Sequence, residues 1–152
     1  MKKLLTGSLA ALVMATSFNA VALEVEDQVY FRKAAYGFMA WNTGKIKAML
    51  DGEAQWDIKQ VQAAANAIAG VANSGMGALY GAGSDNSQFK NTRLKPDFFQ
   101  NPEKAMEAGM QLNTAANELA KVAQTDDKAA IAKAFGAVGA SCKNCHDQFR
   151  AK

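Results

Sequence analysis

The chain has 152 residues, with 17 basic and 14 acidic side chains giving a formal charge of +3, and it carries two cysteines, one histidine and two prolines. With 49% of its residues hydrophobic and 20% charged, it has the balance of an ordinary globular protein, which excludes a disordered acidic tail, a collagen-like repeat and a disulfide-dense miniprotein. The length fits one domain.

Residues 1–22 read as a cleaved secretory signal peptide. Lys2 and Lys3 precede the apolar run Leu4 to Val13, and Ala20-Val21-Ala22 supplies a small-residue cleavage pattern. The apolar run is shorter than the roughly 20 residues of a bilayer-spanning helix, and no later segment offers one, so no membrane anchor is expected. Without Lys2 and Lys3 the net charge of residues 23–152 falls to about +1, and the remaining basic residues are scattered singly among acids. No nucleic-acid partner is expected on that pattern. Export predicts a periplasmic location, where disulfides are permitted. The two cysteines, however, stand at 142 and 145, and a bridge between such near neighbours would close a very short loop of little stabilising value.

Residues 23–152 show helical periodicity nearly throughout and no useful strand alternation, which predicts an all-α fold, an antiparallel four-helix bundle. The first helix is expected from about Glu24 to Leu50, softened near Gly44. Val29, Arg32, Tyr36, Met39, Thr43 and Ile46 share one of its faces. Phe31, Ala34, Phe38 and Trp41 form a second apolar stripe on the side away from Tyr36, which is more than a helix with one buried face needs. That stripe calls for a cover, either a partner or the chain's own connection between helices two and three folded back on it.

The second helix starts at Asp57, whose carboxylate can cap the free amides while Gln60 stands three residues on, and Ile58, Val61, Ala65, Ile68 and Ala72 recur along it at helical spacing. Asn73 to Gln100 is a long irregular connection with Gly75, Gly77, Gly81 and Gly83 near its beginning. No strand precedes those glycines and no Gly-Lys-Ser/Thr follows, so they do not make a phosphate cradle. Connections of this length in a compact domain usually cover a site or cross a bundle. Asn101 and Pro102 announce the third helix, with Ala105, Ala108, Leu112, Ala116, Leu119 and Val122 as its buried stripe. Thr125, Asp126 and Asp127 place a cap and negative charge at the start of the fourth.

The fourth helix carries the chemistry. Ile131, Phe135, Val138, Cys142, Cys145 and Phe149 form an inward-facing seam, so both cysteines are expected to face the core. His146 follows directly, giving Cys142-Lys143-Asn144-Cys145-His146, the C-x-x-C-H pattern of covalent c-type haem attachment. Two thiols on one helical face can form thioethers to the two vinyl groups of one porphyrin, and the imidazole is then held as the proximal iron ligand. A buried structural pair does not explain why the only cysteines and the only histidine fall within five positions. A zinc site lacks a fourth cysteine or histidine, and a thioredoxin-like pair expects a βαβ context. One haem c per chain, bound through Cys142 and Cys145 with His146 on the iron, is the reading that remains. The sixth iron position would have to come from upstream, with helix one the natural source and Met39 its candidate for a low-spin, electron-transferring site. As a flexible core filler Met39 has an ordinary alternative role.

These residues resemble the cytochromes c′. The resemblance runs from about Asp27 to the end and rests on the stretch Gly139 to Arg150, on Arg32-Lys33-Ala34-Ala35-Tyr36, and on the four-helix layout with one long connection. It implies a four-helix bundle holding a five-coordinate, high-spin haem whose distal side is blocked by a nonpolar or aromatic residue. Tyr36 falls at the position of that blocker, where many members carry an aliphatic residue; Arg32 falls where an arginine approaches a haem propionate, and Arg150 where a basic residue flanks the proximal imidazole. The resemblance further implies binding of nitric oxide and, in some members, carbon monoxide, single-electron transfer with an unidentified redox partner, and an antiparallel homodimer through the first two helices, with the second stripe of helix one in the interface. No nucleophile, acid pair or second metal suggests substrate turnover, so a binding protein and not an enzyme is expected.

Overall fold

The computed structural model describes residues 23–152. The signal peptide expected at residues 1–22 lies outside the described residues. The chain forms α1 (Val25–Leu50), α2 (Ile58–Ala72), the one-turn α3 (Asp97–Gln100), α4 (Pro102–Val122) and α5 (Lys128–Phe149), with 3-10 turns at Met76–Leu79 and Ala123–Thr125. Helices α1, α2, α4 and α5 are the four-helix bundle: α1 packs on α2, α2 on α4 and α4 on α5, while α1 and α5 meet more sparingly.

Each start has a local cause. Asp57 is extended and its Oδ1 accepts from the Lys59 and Gln60 amides at 2.9 and 3.2 Å, satisfying two amides that the helix itself leaves free. Asp127 does the same for Ala129 and Ala130, both at 3.0 Å, so the cap of α5 is this residue, while Asp126 before it turns the chain in the left-handed region at φ 56°. Asn101 takes the position before α4, but its side chain does not cap: Nδ2 donates back to the Asp97 carbonyl at 2.9 Å, and Pro102 opens the helix without an amide to satisfy.

Helix α1 is one unbroken run of 26 residues through Gly44, against the softening expected there. A mid-helix glycine costs about 1 kcal/mol relative to alanine. Packing outweighs that, since Asn42 and Ile46 on either side are buried at 2% and 0% exposure.

The core runs along the bundle through Ile46, Val61, Ile68, Leu119, Ile131 and Val138. A second, smaller cluster near the end of α5 joins Ala105, Ala108 and Phe149 to Leu94, Phe98 and Cys145.

Residues 73–100 are anchored at three places around that end. The Gly81 amide donates to Gln28 Oε1 at 2.7 Å, the Arg32 guanidinium is enclosed by the loop, and an antiparallel bridge joins Leu94 to Arg150. Around the bridge the Lys95 amide donates to the Phe149 carbonyl and the Ala151 amide to the Arg93 carbonyl, each at 2.8 Å. The connection therefore covers the end of the bundle that carries the cysteines. It does not fold over the second stripe of α1, where Phe31, Phe38 and Trp41 stay 47%, 50% and 60% exposed.

Candidate functional site

Cys142 and Cys145 lie on the last turns of α5, half-buried and not bridged to each other. The expectation that both would face the core holds only in part. Ile131, Val138 and Phe149 of the seam are buried, but at the cysteines the inward position is taken by Ser141, whose Oγ donates to the Val138 carbonyl at 2.8 Å. Cys142 packs at the rim of the main core and Cys145 against the smaller cluster. Half-burial is what an attachment thiol needs, since a sulfur sealed in the core could not reach a ligand. Burial pushes both thiols above the ordinary cysteine value.

His146 stands on the exposed side of the same turn. Its protonated form is disfavoured first by partial burial and then by the positive charges of Arg150 and Arg93, with Asp147 opposing, so its pKa lies below the usual histidine value. The shift favours the neutral imidazole, the form that binds iron. Arg150 is exposed, its amide donates to the His146 carbonyl at 3.0 Å, and its backbone is fixed by the bridge to Leu94.

Arg32 is 4% exposed, and none of the salt bridges among the described residues involves it. Its Nη1 donates to the Leu79 carbonyl at 2.8 Å and to Ser84 Oγ at 3.1 Å, and its Nη2 to the Ser84 carbonyl at 2.8 Å and Thr92 Oγ1 at 3.0 Å. Its guanidinium carbon lies 4.6 Å from the centroid of the Tyr80 ring. Burial lowers its pKa below the ordinary arginine value, and the charge is met by neutral acceptors and one aromatic ring.

Tyr36, one turn on, is half-buried and its hydroxyl stands 3.0 Å from that of Tyr80. Burial is the first cause that raises the Tyr36 phenol; the hydrogen bond with Tyr80 and the Arg32 charge oppose it, while the thiols of Cys145 and Cys142 add to it. Tyr36 and Cys142 pack against the same core cluster, Tyr36 from α1 and Cys142 from α5. Met39, the other candidate on this face, is 3% exposed within the main core.

The structure thus gathers Cys142, Cys145, Tyr36 and Arg32 at one end of the bundle, with His146 and Arg150 on the outer side of α5. Sequence reasoning missed Tyr80, Phe98, Ser84 and Thr92. The only hint of them was a run of aromatic residues, Tyr80, Phe89, Phe98 and Phe99, in an otherwise polar connection.

Two unbridged thiols on one helical face, a turn apart, with an imidazole on the next residue, suit the two thioethers and one nitrogen ligand of haem c. Among the described residues no group of three or more His, Cys, Asp or Glu could hold a metal ion.

Such a donor set at the end of an antiparallel helical bundle defines a bundle-type c-type haem protein. The chain belongs to the cytochrome c′ family, whose sequence pattern, described as Cytochrome C′, matches residues 27–150. It is 52% identical over 145 residues to the cytochrome c′ of Allochromatium vinosum, an alignment covering 95% of this chain and 93% of that one. The crystal structure of cytochrome c′ from Thermochromatium tepidum superposes with a TM-score of 0.79 at 49% identity, covering 86% of this chain and 99% of that one. A further cytochrome c′, described as having an unusual ligand-controlled dimer dissociation, superposes at 0.80 with 53% identity, covering 86% and 98% of the two chains. No helix among the described residues is long and apolar enough to cross a membrane.

Proposed function

We propose that the chain is an exported, periplasmic binding protein and electron carrier, not an enzyme, with one haem c held by thioethers from Cys142 and Cys145 and by the His146 imidazole. Its function is to bind a small neutral gas, nitric oxide first and carbon monoxide as a second candidate, at a five-coordinate, high-spin iron. When bound, haem c supplies an iron that takes a diatomic ligand or exchanges a single electron.

The observation that carries this reading is the side chain on the open side. What α1 brings to the core cluster that Cys142 packs against is the Tyr36 phenol, whose hydroxyl is held by that of Tyr80, while Met39 is packed within the cluster. Tyr36 then restricts the space above the iron without closing it by a bond. Arg32 brings a buried positive charge without a carboxylate to the same end of the bundle, and its role is to favour an anionic haem propionate while it holds the connection in place. Arg150 helps to keep the proximal imidazole neutral. A variant of the cytochrome c′ from Alcaligenes xylosoxidans, which superposes at a TM-score of 0.75 with 26% identity, is known as its nitric oxide complex, and the same ligand class is proposed here.

The exposed stripe of α1 supports a homodimer through the first two helices, in keeping with the dimer described for the relative above. The redox partner is a separate protein.

Absorption spectra of the purified ferric and ferrous protein, with and without nitric oxide and carbon monoxide, test the reading. High-spin spectra that change on adding either gas are expected. Sharp low-spin ferrous bands with a methionine charge-transfer feature in the ferric form would overturn it.

A further inference from the structure

Tyr80 is fixed from three directions. Its ring stacks on Phe98 with centroids 4.5 Å apart and planes 17° apart, and Phe98 in turn meets Phe149 of α5 edge to face at 5.3 Å. The Arg32 guanidinium lies 4.6 Å from the ring centroid and is itself tied to the backbone on either side of this segment, at Leu79 and Ser84. The hydroxyl completes the set at 3.0 Å from that of Tyr36. Tyr80 is thus clamped between an aromatic stack anchored on the cysteine-bearing helix and a cation anchored on α1.

We propose that Tyr80 is the positioning residue of the open side: its hydroxyl holds the Tyr36 phenol in place and so sets how readily a gas enters. The inference rests on the gas-binding reading, in which Tyr36 restricts the site. No buried side-chain polar atom among the described residues lacks a partner, and the two phenols satisfy each other. For Tyr36 to swing aside, the bond must break or Tyr80 must follow. Tyr80 cannot follow without unstacking from Phe98 and pulling on Arg32, so the bond breaks, and two mostly buried hydroxyls lose their partner. That loss restrains Tyr36, whereas a phenylalanine at 80 would keep the stack and release the latch.

The test uses the haem-loaded, full-length mature protein with carbon monoxide as probe. Tyr80→Phe and Tyr36→Phe are each expected to speed association with the ferrous protein about fivefold, the order of one hydrogen bond's net contribution. The double variant should gain no more than either single one, because both remove the same bond. An ultraviolet titration of the tyrosines gives a readout apart from gas binding: in Tyr80→Phe the Tyr36 phenolate has no hydroxyl to donate to it, so Tyr36 should titrate at higher pH than in the unaltered protein. Should Tyr80→Phe fail to fold, Phe98→Leu loosens the stack while keeping both hydroxyls, and a faster association is again expected. If Tyr36→Ala speeds association while Tyr80→Phe leaves it and the titration unchanged, the role of Tyr80 is overturned and the restricting role of Tyr36 stands. If Tyr36→Ala also changes nothing, both fall.

Discussion

Gln28 and Gly81 meet without room for a side chain between them. The Gly81 amide donates to Gln28 Oε1 at 2.7 Å, and a Cβ on Gly81 would stand 2.5 Å from that same oxygen and 2.9 Å from Nε2. Gln28 is buried at 8% exposure and its Nε2 is engaged with the Leu23 carbonyl at 2.7 Å, so the amide cannot step aside without giving up both bonds. Gly81→Ala is therefore expected to destabilise the folded protein by about 1–3 kcal/mol, the cost of stranding buried polar groups. Urea unfolding followed by circular dichroism measures it. Gly77→Ala, with open space around its Cβ position, serves as the comparison and should stay within about 0.5 kcal/mol.

The outer face of α1 predicts the oligomeric state. Phe31, Phe38 and Trp41 are exposed together, with the Phe38 and Trp41 rings 5.8 Å apart and Lys45 lying over Trp41 at 4.1 Å. Placing a lysine at the centre, as in Phe38→Lys, should convert a dimer to a monomer in sedimentation at micromolar concentration while leaving helix content unchanged. A wild-type monomer at high micromolar concentration would remove the dimer claim.

The phenol pair predicts an alkaline instability. Burial raises both Tyr36 and Tyr80 above the ordinary tyrosine value of 10.0. Below pH 10.0 both states keep their protons and the full stability is present; above it the unfolded chain loses protons that the folded chain retains, so stability falls as pH rises through the folded values. Each such group adds up to about 1.4 kcal/mol of loss per pH unit in that window. Tyr80→Phe should flatten the fall in unfolding midpoint between roughly pH 10 and 12 while leaving the pH 7 to 9 range parallel to the unaltered protein.

The helix caps give a fourth expectation. Asp127→Ala removes both hydrogen bonds to the first turn of α5, and should cost about 1 kcal/mol, read as a lower unfolding midpoint. Asp127→Asn keeps an acceptor at the same place and should recover most of it.

Much of the bundle was legible because its signals are local. Asp57 caps α2 where a carboxylate followed by a helical stripe said it would, and Val61, Ala65, Ile68, Ala105, Ala108, Ala116 and Leu119 are buried as their spacing required. Gly44 shows where a local signal loses. Its conformational cost is fixed and small, whereas the burial of Asn42 and Ile46 beside it depends on what α1 packs against. The same limit applies at the site. The five-residue run ending in His146 was plain in one dimension, but Ser141 rather than Cys142 turns inward. Tyr80, 44 positions from its partner Tyr36, carries no spacing that would betray the pair. Arg32 was picked out by resemblance, yet its neutral partners Ser84 and Thr92 lie in the irregular connection, where periodicity says nothing.

The pairing of residues 93–95 with 149–151 bears on how the end of α5 moves. The last carbonyls of a helix ordinarily lack partners, and such a turn frays open many times for each global unfolding. Here the Phe149 carbonyl holds the Lys95 amide, the Arg93 carbonyl holds the Ala151 amide, and the Arg93 side chain adds a bond from Nε to the Ala151 carbonyl at 2.9 Å. The turn bearing Cys145 and His146 is spliced to a segment more than fifty positions away in sequence and opens only when that splice lets go. Amide hydrogens from Asn144 to Arg150 should then exchange with solvent in step with those of the connection, and not with the rapid, graded exchange of a loose helix end.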